Sequence, residues 1–391
     1  MRTEGDFIHI NHWLTPLSWL YGLGVRLRNR LFDWGILDAK EYDIPVISVG
    51  NITVGGSGKT PHVEYLVRLL APFTQVAVLS RGYKRKSKGY VLASAQSTAT
   101  DIGDEPHQMK QKFPDTYVAV DSKRTRGIEH LMHDSATQDV GAILLDDAFQ
   151  HRYVKPGINI LLVDYHRLII YDKLLPAGRL REPLMGKKRA DIVIVTKSPK
   201  DLKPMEFRVL RKAMDLFPYQ HLFFTTINYD NLKALFHTHT LSLQAISRHH
   251  ALVLSGIASP QQLLSDITPL CKSVTTATFA DHHAFTAQDI AKVNSQFEAM
   301  PSPKIIITTE KDAARLVNNP HLSNEVKQNL YTLPVHISFM QNQGEEFNQI
   351  ILNYVRKNPR NSSMAQTKDD NPSTNSHHPG NRPGTISFRD N

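Results

Sequence analysis

Between Val46 and Pro61 the chain reads Val-Ile-Ser-Val-Gly-Asn-Ile-Thr-Val-Gly-Gly-Ser-Gly-Lys-Thr-Pro. An apolar strand runs into a glycine loop, then Lys-Thr, then a proline suited to a first helical turn. Glycines let backbone N–H groups turn inward around phosphate oxygens, and the helix that follows adds its positive end. The spacing predicts a nucleotide site made by Thr53, Val54, Gly55, Gly56, Ser57, Gly58, Lys59 and Thr60, with Lys59 on the β/γ-phosphates and the Thr60 hydroxyl at a Mg²⁺ position. One departure stands out: Thr53 occupies the place, five residues before the Gly-Lys pair, where glycine is usual.

A strand–loop–helix of this kind belongs in a parallel α/β sheet, and the rest of the chain fits one. Strands are expected at Pro45–Val49, Val76–Ser80, Tyr117–Val120, Ala142–Leu145, Ile158–Asp164 and Ile192–Thr196. Further ones are expected at Leu222–Ile227, Ala251–Ser255, Ser273–Phe279, Lys304–Thr308 and Pro334–Ile337. Their unbroken Val/Ile/Leu character indicates burial on both faces. A length of 391 residues suits two α/β units. The expected division is an N-terminal helix over 1–35, a phosphate-loop domain over 36–200, a second α/β domain over 201–357 returning to the core, and a polar tail over 358–391. The break near Ser198–Pro204 is polar and twice interrupted by proline. The tail has too few large apolar residues to offset its ordering entropy and is expected to be disordered.

Composition narrows the chemistry. A single cysteine, Cys271, excludes a disulfide framework and any cysteine-cluster metal site. Forty-six Lys+Arg against 37 Asp+Glu leave a net charge of +9 and a pI near 9.4, which favours an anionic partner. The basic residues are largely scattered, Lys84-Arg85-Lys86 forming a tight cluster, so no nucleic-acid partner is expected and no obligate protein partner is evident. The uncharged stretch Phe7 to Val25 holds His9, Asn11, His12, Thr15, Pro16 and Ser18, too polar to span a bilayer and without the pattern of a secretory signal. From Leu17 to Asp33 a helical wheel gathers Leu17, Leu20, Tyr21, Leu23, Val25, Leu27, Leu31 and Phe32 in one arc. Ser18, Arg26, Asn29, Arg30 and Asp33 fall opposite, with Arg28 the exception. This pattern suits an interfacial membrane helix, and it equally suits a helix packed on the protein's own core.

A second strand, Gly141 to Leu145, ends in Asp146-Asp147. At the carboxyl edge of a parallel sheet these carboxylates lie beside the phosphate loop and can hold Mg²⁺, or they can cap the next turn. The guanine-reading Asn-Lys-x-Asp is absent; Val195-Thr196-Lys197-Ser198 is only a partial echo. No Asp-x-x-Gly follows the second strand, so ATP is favoured over a GTPase switch. A regulatory or partitioning ATPase is the alternative to a phosphotransferase.

The loop Val49 to Pro61, Thr53 included, resembles the phosphate loop of the tetraacyldisaccharide 4′-kinases of lipid A synthesis. Ser80-Arg81-Gly82-Tyr83, Gly103-Asp104-Glu105-Pro106, Asp146 to His151, Leu174 to Pro183, Asp281-His282-His283 and Thr308 to Ala313 are similar to that family in the same order. The resemblance implies γ-phosphate transfer from ATP to the 4′-hydroxyl of an acylated glucosamine disaccharide 1-phosphate at the cytoplasmic face of the inner membrane. It implies a smaller α/β domain hinged to the core and an N-terminal helix dipping into the membrane. Mg²⁺ would be held by Thr60, Asp146, Asp147 and Glu182, and the base would be Asp104 working with His282, although His283 is adjacent. From the residues alone, Asp104 would serve as a helix cap and Asp281-His282-His283 as a surface turn. Headgroup contacts would come from Arg81, Tyr83, Arg124, His151 and Arg181, whose forks and hydroxyl suit a sugar phosphate.

Overall fold

The computed structural model describes residues 8, 10–257, 260–281, 283–358 and 361. In chain order these form α1 (Thr15–Asp33), β1 (Val46–Gly50), α2 (Lys59–Leu70), β2 (Gln75–Ser80), β3 (Val91–Leu92), α3 (Ala99–Ile102) and α4 (Asp104–Lys112). Then come β4 (Tyr117–Val120), α5 (Arg124–His133), β5 (Val140–Asp146), β6 (Ile158–Asp164), β7 (Ile192–Thr196), α6 (Pro204–Met214) and β8 (His221–Tyr229). The remainder is β9 (Leu232–Ala234), β10 (Thr240–Leu241), β11 (His250–Ser255), α7 (Gln261–Ile267), β12 (Ser273–Thr278) and α8 (Ala287–Glu298), followed by β13 (Lys304–Thr309), α9 (Glu310–Leu316), α10 (Asn324–Asn329), β14 (Leu330–Leu333), β15 (Val335–Phe339) and α11 (Gly344–Arg356).

The expected α/β class holds, with parallel sheets at its centre. A nine-stranded sheet runs β15-β8-β7-β6-β1-β5-β2-β4-β3, antiparallel only at its two edges. A six-stranded sheet runs β10-β9-β14-β13-β11-β12, parallel from β14 to β12. Every residue of β1, β5 and β7 is buried, because helices cover both faces of the larger sheet. Ile47 and Val49 of β1 pack with Val63, Leu66 and Val67 of α2, and α11 returns to the same core with Phe347, Ile351 and Val355.

The chain leaves the larger sheet after β8 and re-enters it at β15, and these two strands pair side by side, Tyr229 opposite Val335. α6 and β8, beyond the polar Ser198–Pro204 stretch, still belong with the larger sheet: Phe207, Leu210 and Met214 pack on Phe224 and Val195. β1 lies between β5 and β6, so the strand order turns about it, and the loops after β1, β2, β5 and β7 meet at one sheet edge. The expected tail lies outside the described residues apart from Asn358 and Asn361. Asn361 is buried, and its amide donates to the Gly141 carbonyl at 2.9 Å.

α1 packs on the larger unit through small residues. Ser18 and Gly22 are buried; the Ser18 hydroxyl donates to Leu174 O at 3.0 Å, and a Cβ on Gly22 would meet Leu174 Cδ1 at 2.8 Å. Most leucines of the arc face outward: Leu20 is 68% exposed, Leu23 63% and Leu27 54%, whereas Phe32 is buried. Of the two readings left by the wheel, packing on the protein's own body holds for Phe32 at the end of the arc and not for its exposed leucines. No described helix is long and apolar enough to cross a membrane.

Candidate active site

The phosphate loop is held open by its neighbours. Gly55 and Gly58 adopt φ of +123° and +79°, where a side chain would strain the backbone. The buried Asn51 amide donates to Thr53 Oγ1 at 3.3 Å and to Gly55 O at 3.5 Å, bracing the turn from within. Thr53 also pairs antiparallel with Leu180, and Val54 N–H donates to Arg179 O at 2.8 Å. This pairing is what a threonine in place of the first glycine serves: the loop runs beside the 179–182 segment as a short ladder.

Several residues that shape the loop are not evident from motif reading. Thr196 Oγ1 donates to Ser57 O at 3.0 Å, and Lys197, held at φ +56°, donates through Nζ to Gly56 O and to Asp164 Oδ2 at 2.6 Å. Gln150 donates to Asn51 O. His62 bridges Gly58 O at 2.7 Å and Thr225 Oγ1 at 3.0 Å; its burial pushes its pKa down to about 4, so the ring is neutral, with Nδ1–H donating and Nε2 accepting. The only available signal was position, since Thr196-Lys197 ends β7, two strands from β1.

Asp146 and Asp147 follow β5 beside the loop. Lys59 Nζ lies 3.6 Å from Asp147 Oδ1, and Arg181 lies 3.6 Å from Oδ2. Burial would raise the Asp147 pKa, but these two cations outweigh it and hold the carboxyl below its usual range. Asp146 goes the other way: burial, with Glu105 and Asp147 nearby, pushes it up to about 7. Oδ1 of both aspartates is buried without a hydrogen-bond donor. A buried and a half-buried carboxyl group, each with a buried, undonated oxygen, suit a divalent cation. Among the described residues no three carboxylate, imidazole or thiolate groups converge as a metal cluster, so a cation here would take its other ligands from Thr60, phosphate oxygens or water. Glu182 is buried nearby and paired with Arg189 at 2.8 Å.

One cleft of about 1210 Å³ joins these groups. Its walls carry Lys59, Arg81, Tyr83, Asp104, Asp146, Asp147, Arg181 and Glu182, and Tyr21, Val25 and Arg28 of α1. Asp104 opens α4 from Gly103 and receives the guanidinium of Arg315, from the smaller domain, at 2.7 Å. Arg124 and His151 do not line it. Arg124 is buried, its fork donating to the Asp121 and Asp146 carbonyls at 2.6 and 2.9 Å, and its backbone N–H donates to His151 Nε2 at 3.2 Å. Burial pushes the Arg124 guanidinium down to about 10. His282 lies outside the described residues; His283 turns to Asp289, with Nε2 2.8 Å from Oδ2. On the far side of the loop an adjoining cavity of about 250 Å³ is walled by Gly56 to Pro61, and by Ile227, Tyr229, Leu263 and Leu333.

A parallel sheet ending in a phosphate loop, with paired carboxylates on the neighbouring strand, defines a P-loop phosphotransferase. The sequence profile described as tetraacyldisaccharide-1-P 4′-kinase matches residues 10–356, and the chain belongs to that family. It is 57% identical over 365 residues to the tetraacyldisaccharide 4′-kinase of Phocaeicola vulgatus, covering 93% of this chain and 100% of that one. It is 49% identical over 376 residues to that of Bacteroides thetaiotaomicron, covering 94% and 99%. Among solved structures it is similar to LpxK from Aquifex aeolicus in complex with ATP, with TM-score 0.67, 29% identity and coverage of 88% and 99%. The regulatory or partitioning ATPase weighed from the sequence is not favoured.

Proposed function

We propose that this protein transfers the γ-phosphoryl group of ATP to the 4′-hydroxyl of a tetraacyldisaccharide 1-phosphate. The observation that carries this reading is the single cleft in which phosphate loop, paired carboxylates and Asp104 meet beside an exposed apolar helix. The loop amides, Gly58 and Lys59 cradle the triphosphate; the apolar cavity beyond Gly56 accepts the base. Thr60, Asp146, Asp147 and Glu182 would hold Mg²⁺, which would neutralise charge on the phosphates. Asp104 takes the hydroxyl proton as the sugar oxygen bonds to the γ-phosphorus and the bond to the bridging oxygen breaks, releasing ADP. His282 is proposed to work with Asp104.

Arg81, Tyr83 and Arg181 hold the phosphorylated headgroup; Arg124 supports it from beneath by fixing the Asp146 backbone, and His151 by accepting the Arg124 backbone N–H. The outward leucines and tryptophans of α1 seat the enzyme on the cytoplasmic face of the inner membrane, bringing the cleft to the acyl chains. A γ-labelled ATP assay with tetraacyldisaccharide 1-phosphate, Mg²⁺ and detergent tests the reaction. Labelled lipid is expected from the wild type, and at least 100-fold less from Lys59→Ala. Tight ATP binding with no labelled lipid would overturn it.

A further inference from the structure

α9 of the smaller domain lies against α4 of the larger one as a row of opposite charges. Glu310 receives Lys112 Nζ at 2.9 and 3.0 Å, Lys311 lies 3.7 Å from Glu105, and Arg315 reaches Asp104. The row continues into the larger core, since Lys112 also pairs with the buried Glu64 of α2 at 2.7 Å. Among these contacts the last differs in kind. Arg315 donates through both Nε (3.1 Å) and Nη2 (2.7 Å) to one oxygen, Oδ2, of Asp104. The remaining nitrogen, Nη1, donates to Asp312 Oδ1 at 3.2 Å.

Asp312 is itself locked. It is fully buried, and its Oδ2 accepts Gly256 N–H at 2.9 Å and the Thr309 hydroxyl at 2.7 Å. A chain of hydrogen bonds thus runs from the ends of β11 and β13, through Asp312 and Arg315, to the carboxylate of Asp104. A guanidinium fixed at its other end holds in place the carboxylate oxygen that it grips with two of its N–H groups.

We infer that Arg315 is a positioning residue for Asp104, supplied by the smaller domain, so that the base is oriented for proton transfer only while α9 is docked on α4. This rests on the reading of Asp104 as the base. It makes domain docking a condition for chemistry without giving Arg315 any contact with the reacting atoms.

The test is a double-substitution cycle on the full-length enzyme, following kcat and KM for lipid and ATP, together with ATP affinity. Arg315→Gln is expected to lower kcat at least 20-fold while both KM values and ATP affinity stay within threefold. Arg315→Lys, which keeps the charge and loses the fork, is expected to recover part of that loss. Adding Arg315→Gln to Asp104→Asn should cost nothing further, since the arginine acts through the carboxylate. An Arg315→Gln kcat within threefold of wild type, a loss carried by KM or ATP affinity, or losses that multiply in the double variant would overturn the inference. If Arg315→Gln does not fold, the same cycle with Arg315→Lys decides it by the same criterion. Near-wild-type turnover in Asp104→Asn would sink the base reading and this inference together, whereas a dead Asp104→Asn beside an unaffected Arg315→Gln sinks the inference alone.

Discussion

His62 shows how one buried side chain ties the phosphate loop to the sheet. It sits in the first turn of α2, accepts from Thr225 on β8 and donates to the Gly58 carbonyl. Protonation would put a charge in the core and remove the acceptor. The folded pKa of about 4 lies below the ordinary 6.5, so between these values the unfolded chain binds more protons than the folded one. Stability from this group is complete above pH 6.5 and is lost as pH falls toward 4. At about 1.4 kcal/mol per pH unit it amounts to roughly 3 kcal/mol. Urea unfolding between pH 7.5 and 4.5 should show this loss in the wild type and a flatter profile in His62→Gln; parallel profiles would refute it. The residues around Asp147 show the complementary case, in which Lys59 and Arg181 hold a half-buried carboxyl below its usual range.

At the scale of the element, α1 is informative because its apolar arc and its buried face are not the same. Ser18, Gly22 and Phe32 are buried against the body, while Leu20, Leu23 and Leu27 are left in solvent. Burying a leucine is worth roughly 1.5–3 kcal/mol, so leaving several exposed is costly unless something apolar covers them. Replacing Leu20, Leu23 and Leu27 with serine should weaken sedimentation with phospholipid vesicles at least tenfold and leave ATP affinity unchanged. Unaltered sedimentation would remove the membrane role from α1.

For the whole molecule, the two sheets share the walls of the cavity beside the phosphate loop, with Tyr229 and Leu333 at the crossing strands and Leu263 from the smaller domain. A nucleotide that touches both units should couple them. ATP with Mg²⁺ at a hundred times its Kd should stabilise the fold by about 2.7 kcal/mol, seen as one upward-shifted thermal transition, and Lys59→Ala should lose the shift. A shift confined to one of two separate transitions would show that nucleotide engages a single unit.

The chain's own order of residues determined the α/β class, the positions of the long buried strands and the phosphate loop. Each is written in local signals: unbroken β-branched runs, glycines at turns and a Gly-Lys-Thr at a helix start. Ile158–Asp164 and Ile192–Thr196 are strands as the run lengths implied, whereas β3, β9 and β10 are too short to register, and β14 follows α10 without a break. Tertiary structure alone decided the rest. It turned the leucines of α1 outward, buried Arg124 beneath the site, and used Thr53 to pair the loop with Leu180. It also brought Arg315 to Asp104 across 211 positions. No local pattern encodes these, because each depends on which surfaces remain after distant strands have packed.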